Sequence, residues 1–405
     1  MDNILNELFA IQNKLADFVP TEFKRYLVID WKKRLIILTG ARGTGKTTLV
    51  LQHYLEDYKS TAECLYFSVD NPLVAKKGIY EIGKEYFTLY GNTVIIDEVH
   101  KQQNWAIDIK ALYDSFPDKK IIILGSSKLN IINQKGDLSR RALIYNLKGL
   151  SFREFIELKY GKKVKAYSLE EILTDHIKIS SEIMRSIPEI KKYFFEYKQY
   201  GFYPFFNQYS EAEYQRVLHS VIDKIIYEDI PSLKNVKGSS SLVFKKLIAY
   251  LAMSKIPTVV VSNMCNELDT TKETLYEYLD LLSRADVINI VRRKKATVRS
   301  LQYSKILLLN PNLYYTISNE LWKHNADLGN IRESFFISQL DGMFFASDVV
   351  DYTIQLKGKE IEVEIGGKNK TRNQIKDLKN GYVFKDDIQT GYENIIPLFL
   401  VGFLY

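Results

Sequence analysis

The chain has 405 residues, 46% of them hydrophobic and 26% charged, and a formal net charge of +7. No apolar run nears the roughly 18 residues of a membrane span. Residues 1–15 lack the basic start and apolar block of a signal peptide. Cys64 and Cys265 are the two cysteines, without metal spacing and read as reduced thiols; membrane and disulfide-scaffold classes are excluded, and a cytoplasmic location is expected.

The first 34 residues read as a short helix and a lead-in containing Pro20 and Arg25. Leu35 to Leu38 reads as a buried strand. It runs into Gly40, Ala41, Arg42, Gly43, Thr44, Gly45, Lys46, Thr47 and Thr48, which fit the phosphate-binding pattern G-x-x-x-x-G-K-[ST]. The glycines let backbone N–H groups close around phosphate oxygens without Cβ clashes, and a helix N-terminus adds positive potential. Lys46 would reach the β- and γ-phosphates, and the Thr47 hydroxyl would ligate Mg²⁺. A helix is expected from Thr47 to Tyr58, with Leu49, Val50, His53, Tyr54 and Leu55 on one face.

Leu65 to Val69 is a second strand, closed by a turn at Asp70-Asn71-Pro72. Ile79 to Tyr90 is a helix. The apolar strand ending at Asp97-Glu98 has the Walker B form. There Asp97 would hold the Mg²⁺ shell and Glu98 would polarise the attacking water of ATP hydrolysis. The four residues Asp97 to His100 also match a helicase box, but no second motor core follows. Ile121 to Leu124 is a further buried strand, ending at Gly125-Ser126-Ser127. Arg140 and Arg141 precede a strand-like Ala142 to Leu147.

Gly40 to Thr48, Asp97 to Lys101 with Trp105 following, Gly125 to Ser127 and Leu150 to Phe155 resemble one group of archaeal and bacterial AAA+-type, STAND-like ATPases. The likeness is strong over 35–155 and looser beyond. It implies an AAA-like core, a winged-helix module and a C-terminal region related to the PD-(D/E)xK nuclease fold. In such ATPases a hydroxyl at Ser126 or Ser127 would sense the γ-phosphate, a plain turn being the other reading. Arg140 or Arg141 would be a finger presented to a neighbouring subunit of a homo-oligomer, or a surface basic pair.

Residues 151–236 read as a helical lid or connector without a catalytic constellation. Ser241 to Met253, Ser262 to Leu268 and Thr271 to Ser283 read as three helices. A short strand is expected at Val259 to Val261, and Thr270 with Glu273 fits a capping box. Val287 to Val291 and Lys305 to Leu309 would form a two-stranded wing, which completes a winged helix-turn-helix. Residues 237–310 carry 12 Lys/Arg against 6 Asp/Glu, an excess of 6. Lys272, with Thr274 and Tyr276, and the wing cations Arg292, Arg293, Lys294 and Lys295 would contact the backbone of duplex DNA. The alternative is a module that docks on protein.

In the last part, Asn330 to Glu333 opens a helix, Asp348 to Leu356 and Glu360 to Ile365 form a hairpin, Gln374 lies in a helix, and Leu398 to Val401 closes as a strand. By resemblance to the nuclease fold, Asp351 and Glu362 fall on the motif acids, and Glu333 and Gln374 on accessory positions. Glu364 stands where the motif has lysine. Asp351, Glu362 and Glu364 form a second candidate metal site.

The expected architecture is α/β: a P-loop, AAA+-like parallel-sheet ATPase domain (1–150), the helical connector (151–236), the winged helix (237–328) and a small nuclease-like domain (329–405). The expected activity is Mg²⁺-dependent ATP hydrolysis driving a DNA-associated switch. The alternatives are an ATP-gated nuclease and a protein-interaction ATPase without DNA binding, each with an unidentified partner protein.

Overall fold

The computed structural model describes residues 3–125, 138, 140–233, 240–254, 258, 260–294, 300–321 and 326–405. Ser126, Ser127 and Lys295 lie outside the described residues. The chain forms two compact units, Met1–Gly149 with Glu228–Asn235, and Leu150–Tyr227 with Val236–Tyr405. Among the described residues, no helix is long and apolar enough to cross a membrane.

The first unit is built on five strands: β1 (Leu35–Thr39), β2 (Cys64–Ser68), β3 (Thr93–Asp97), β4 (Lys120–Gly125) and β5 (Leu143–Asn146). They run parallel in the order β2-β3-β4-β1-β5. Both faces of the inner strands are buried, which is why Leu35 to Leu38 and Ile121 to Leu124 are unbroken apolar runs rather than alternating ones. Alternate residues serve two cores. Leu35, Ile37, Ile121 and Ile123 pack with the helices Ile79–Leu89 and Trp105–Ser115. Ile36, Leu38, Ile122 and Leu124 pack with the helix Lys46–Asp57. Leu55, expected on the buried face of that helix, lies in its last turn and is 42% exposed. The edge of β2 is covered by the helix Asn3–Asp17: Gln12 donates to Cys64 O at 3.0 Å and accepts from Tyr66 N at 2.8 Å.

The second unit opens with the helices Phe152–Tyr160, Leu169–Ser186, Ile190–Tyr200 and Glu211–Lys224. Capping boxes at Ser151/Glu154, Ser168/Glu171 and Ser210/Glu213 start three of them. The helices Ser240–Met253, Val261–Glu267 and Lys272–Arg284 precede an antiparallel pair, β6 (Ile288–Val291) and β7 (Lys305–Leu308). Val261 begins a helix instead of ending a strand. The cap of the third helix is Thr271, which accepts from Thr274 N, not Thr270. Thr270 is still in the turn, its N–H bonded to Cys265 O next to a left-handed Asp269.

The helix Leu328–Gln339 follows, then a five-stranded sheet in the order β12-β11-β10-β9-β8. Its members are β8 (Phe344–Ala346), β9 (Tyr352–Leu356), β10 (Lys359–Gly366), β11 (Gly381–Lys385) and β12 (Ile395–Pro397). The strand expected from Asp348 starts only at Tyr352, because the Ser347 hydroxyl accepts from Val349 N and Val350 N and holds a turn. Gln374 sits in successive four-residue turns rather than a helix; the segment is charged and only Ile375 of it is deeply buried. Leu398 to Val401 is the start of a 3₁₀ helix, since Pro397 has no N–H to continue the ladder.

Candidate nucleotide site

The loop Gly40–Gly45 lies at the carboxyl end of β1, where strand order switches direction across the sheet. Gly40, Gly43 and Gly45 take φ of 148°, 85° and 89°. A Cβ on Gly40 would meet Leu147 O at 2.2 Å, so the loop cannot close with any side chain there. Lys46, 7% exposed, donates from Nζ to Gly40 O at 2.8 Å and Ala41 O at 3.0 Å, curling over the loop it serves. Thr48 continues the helix. Thr44 donates its hydroxyl to Ala41 O.

Asp97 ends β3 beside this loop. Its Oδ2 accepts from Thr47 Oγ1 at 2.6 Å and from Tyr66 OH at 2.9 Å, and its Oδ1 accepts from Glu98 N at 2.8 Å. Hard oxygen donors brought this close suit Mg²⁺. Burial, with the Asp97 charge next to it, pushes the Tyr66 phenol far up, so it serves only as a donor. Glu98 has φ 52° and ψ 38°, the left-handed region, a conformation costing about 1–3 kcal/mol for such a residue. Burial and then Asp97 hold its carboxyl above the usual range.

Three more side chains join the site, two of them, Arg25 and Asp229, without any motif to announce them. Arg25 forks to Thr44 O at 2.7 Å, Lys148 O at 2.8 Å and Gly149 O at 2.9 Å. His100 stands 3.3 Å from Glu98 Oε2, and Asp229 grips Arg42 through Nε at 3.1 Å and Nη2 at 2.8 Å. A helicase-like box pointed at His100; nothing in the sequence pointed at Asp229, which is 187 residues from Arg42. Arg141 pairs with Asp114 at 3.2 Å and Arg140 is exposed.

Residues 32–156 match the family described as an AAA domain. The first unit carries an AAA-type P-loop domain. Residues 191–321 match a domain of unknown function. Two uncharacterized proteins of Methanocaldococcus jannaschii are similar to this chain. MJ1637 is 28% identical over 67% of this chain and 59% of its own length, and MJ1544 is 23% identical over 84% and 74%. The chain thus spans less than two thirds of the first of these. Among solved structures, the Walker-type ATPase of Pyrococcus abyssi aligns over 75% of this chain and 99% of its own, with TM-score 0.40 and 13% identity. The Aeropyrum pernix ORC1 protein in complex with DNA aligns over 77% and 92%, with TM-score 0.30 and 11% identity. Likenesses this distant do not bear on what the chain does.

The second candidate metal site is not assembled. Among the described residues no group of three His, Cys, Asp or Glu side chains is placed to hold a metal ion. Asp351, just before β9, does come next to Glu364 of β10, its Oδ2 accepting from Ile365 N at 2.8 Å, but Lys305 of β7 reaches in. Its Nζ donates to Asp351 Oδ1 at 2.7 Å and to Glu333 Oε2 at 2.8 Å. Glu333 also accepts from Tyr352 OH at 2.6 Å, Glu364 pairs with Lys370, and Glu362 turns to Thr353 and Ser347. An ammonium therefore stands among the carboxylates where a cation was expected.

The described part of the basic run after β6, Arg292 to Lys294, also differs from a freely solvated tip. Arg293 pairs with Asp348 at 2.8 Å and stacks 4.8 Å over the Tyr303 ring, and Lys294 pairs with Glu360. Arg292 is exposed. Lys272 is exposed and lies 5.6 Å from the Tyr276 ring. The Tyr276 hydroxyl accepts from Leu301 N.

Proposed function

We propose that the AAA domain binds ATP with Mg²⁺ and hydrolyses it, and that nucleotide state drives the rest of the chain as a switch. The observation that carries this is the 2.6 Å approach of Thr47 Oγ1 to Asp97 Oδ2 under a glycine-lined loop. Lys46 would neutralise the β- and γ-phosphates, and backbone N–H groups of Gly43 to Thr48 would cradle them. Thr47 and Asp97 would hold Mg²⁺, which when bound offsets phosphate charge. Glu98 would take the proton of the attacking water. Its raised carboxyl makes it the stronger base once ionised. Ser126 or Ser127 would sense the γ-phosphate, and Arg140, more than the ion-paired Arg141, would act in trans if copies assemble.

Glu98→Gln tests the assignment. ATP affinity by calorimetry should be kept while turnover falls by about 10²–10⁴. Normal turnover in that variant moves the base elsewhere.

We infer duplex DNA as the partner from the excess of 6 positive charges over 237–310. A second reading, docking on protein, draws support from the pairing of Arg293 and Lys294 with carboxylates. Gel shifts on duplex DNA with and without ATP separate the two. Metal-dependent nuclease action is disfavoured by the Lys305 ammonium among the acids.

A further inference from the structure

Asp229 comes to the nucleotide site from outside every motif. The chain leaves the helix Glu211–Lys224 through a π-helical turn, Ile225–Asp229, and such turns concentrate at functional sites. Glu228–Asn235 then belongs to the first unit, although the residues before and after it belong to the second. Only 3% of the Asp229 side chain is exposed.

A buried carboxylate beside a phosphate-binding loop would repel the ligand that the loop collects. Arg42, a residue of that loop, answers the charge with a two-bond fork at 2.8 and 3.1 Å. Burial alone would raise the Asp229 carboxyl. Its neighbours His100 and Arg42 outweigh that and hold it well below the usual carboxylate range, so it stays ionised.

On its other side Asp229 Oδ1 lies 3.8 Å from His100 Nε2, and His100 Nδ1 lies 3.3 Å from Glu98 Oε2. The imidazole is 3% exposed. Among the described residues neither ring nitrogen has a hydrogen-bond partner, nor does Glu98 Oε2. Leaving such groups buried and unmet costs about 1–3 kcal/mol each, which needs a compensating use. The three groups form a series, carboxylate, imidazole, carboxylate, open by a tenth of an ångström or more at the Glu98 joint and by over half an ångström at the Asp229 joint. Catalytic hydrogen bonds are often this long before ligand binds and shorten in the reacting complex.

We propose that Asp229 is a positioning residue for Glu98. It orients the His100 imidazole against the Glu98 carboxylate, and it is seated there by Arg42 of the phosphate loop. Hydrolysis then requires the segment 228–233 to be docked, so a chain element from outside the P-loop core gates the water-activating group. This role rests on the ATPase reading above.

The test uses the full chain and ATP with Mg²⁺. Asp229→Asn keeps the shape and removes the charge. It should lower kcat at least about tenfold, part of the 10²–10⁴ a general base supplies, while KM and the calorimetric Kd stay within about threefold or tighten. Asp229→Glu should recover part of the loss. His100→Asn should show a similar drop, and the double variant should be no slower than the worse single one, as residues acting in one unit behave. A purely structural role would weaken nucleotide binding together with kcat and give losses that multiply. Either that pattern or wild-type kcat in Asp229→Asn overturns the inference. If wild-type protein binds no ATP, or turns over no faster than Lys46→Ala, the ATPase reading itself fails.

Discussion

Replacing Lys305 with methionine isolates the buried ion pair at the C-terminal sheet. Lys305 is 8% exposed, and its ammonium serves Glu333 and Asp351 at 2.8 and 2.7 Å. Methionine fills a similar volume without charge, so the loss is chiefly that of the compensating cation. Removing one partner of a buried pair costs about 3–5 kcal/mol. At about 2–4 °C per kcal/mol for a unit of this size, calorimetry should show its transition lowered by about 6–20 °C. The pH dependence follows from Glu333. Burial pushes its carboxyl up and the Lys305 charge pulls it back, with a net raised value. Without Lys305 the carboxyl rises further. A carboxyl whose folded-state pKa exceeds its unfolded one is favoured in the fold as pH falls through it. The deficit of Lys305→Met should therefore be smaller at pH 5 than at pH 8, and adding Asp351→Asn should recover part of it. A loss under about 1 kcal/mol, or one equal at both pH values, would refute the buried-pair account.

Lys46→Ala should raise the ATP Kd by about 10–150-fold, the worth of a charge-assisted phosphate interaction of about 1.5–3 kcal/mol; unchanged affinity in a calorimetric titration would remove the site from this loop. Neutralising Arg292, Arg293 and Lys294 to glutamine should weaken duplex binding and reduce the slope of log K against log salt by about 0.9 for each phosphate that is no longer neutralised. A slope that does not move points to protein docking. His53, stacked 3.9 Å on Trp31, is pulled down to about 4 by burial and by the Lys120 charge. The stability from its neutral form is complete above 6.5 and is lost as pH falls from there to about 4. Urea melts at pH 7 and pH 4.5 should show a drop in wild type that shrinks in His53→Phe.

Most of the P-loop core is legible in the residues alone. Unbroken apolar runs of four or five residues bounded by turn signals suit strands buried on both faces, and glycines at 40, 43 and 45 permit the backbone that a phosphate loop needs. Less is legible at the other end of the chain. Patterning assigns Gln374 and Leu398 to regular elements because it cannot register a missing partner: Pro397 stops a ladder only if a ladder is there. Glu362 and Glu364 lie on β10 and Asp351 just before β9, yet the metal role expected of them gives way once Lys305 comes in from β7.

The order of residues along the chain therefore decided what is local: the loop with its lysine, the strand that delivers Asp97 and Glu98, the helix caps at Ser151 and Ser168. Tertiary structure alone decided which charges meet. Arg42 with Asp229, Lys305 with Asp351 and Arg25 with Gly149 O join positions 46 to 187 residues apart. The physical reason is that periodicity and turn chemistry act over a few residues, whereas a buried charge is tolerated only where the whole fold delivers its partner.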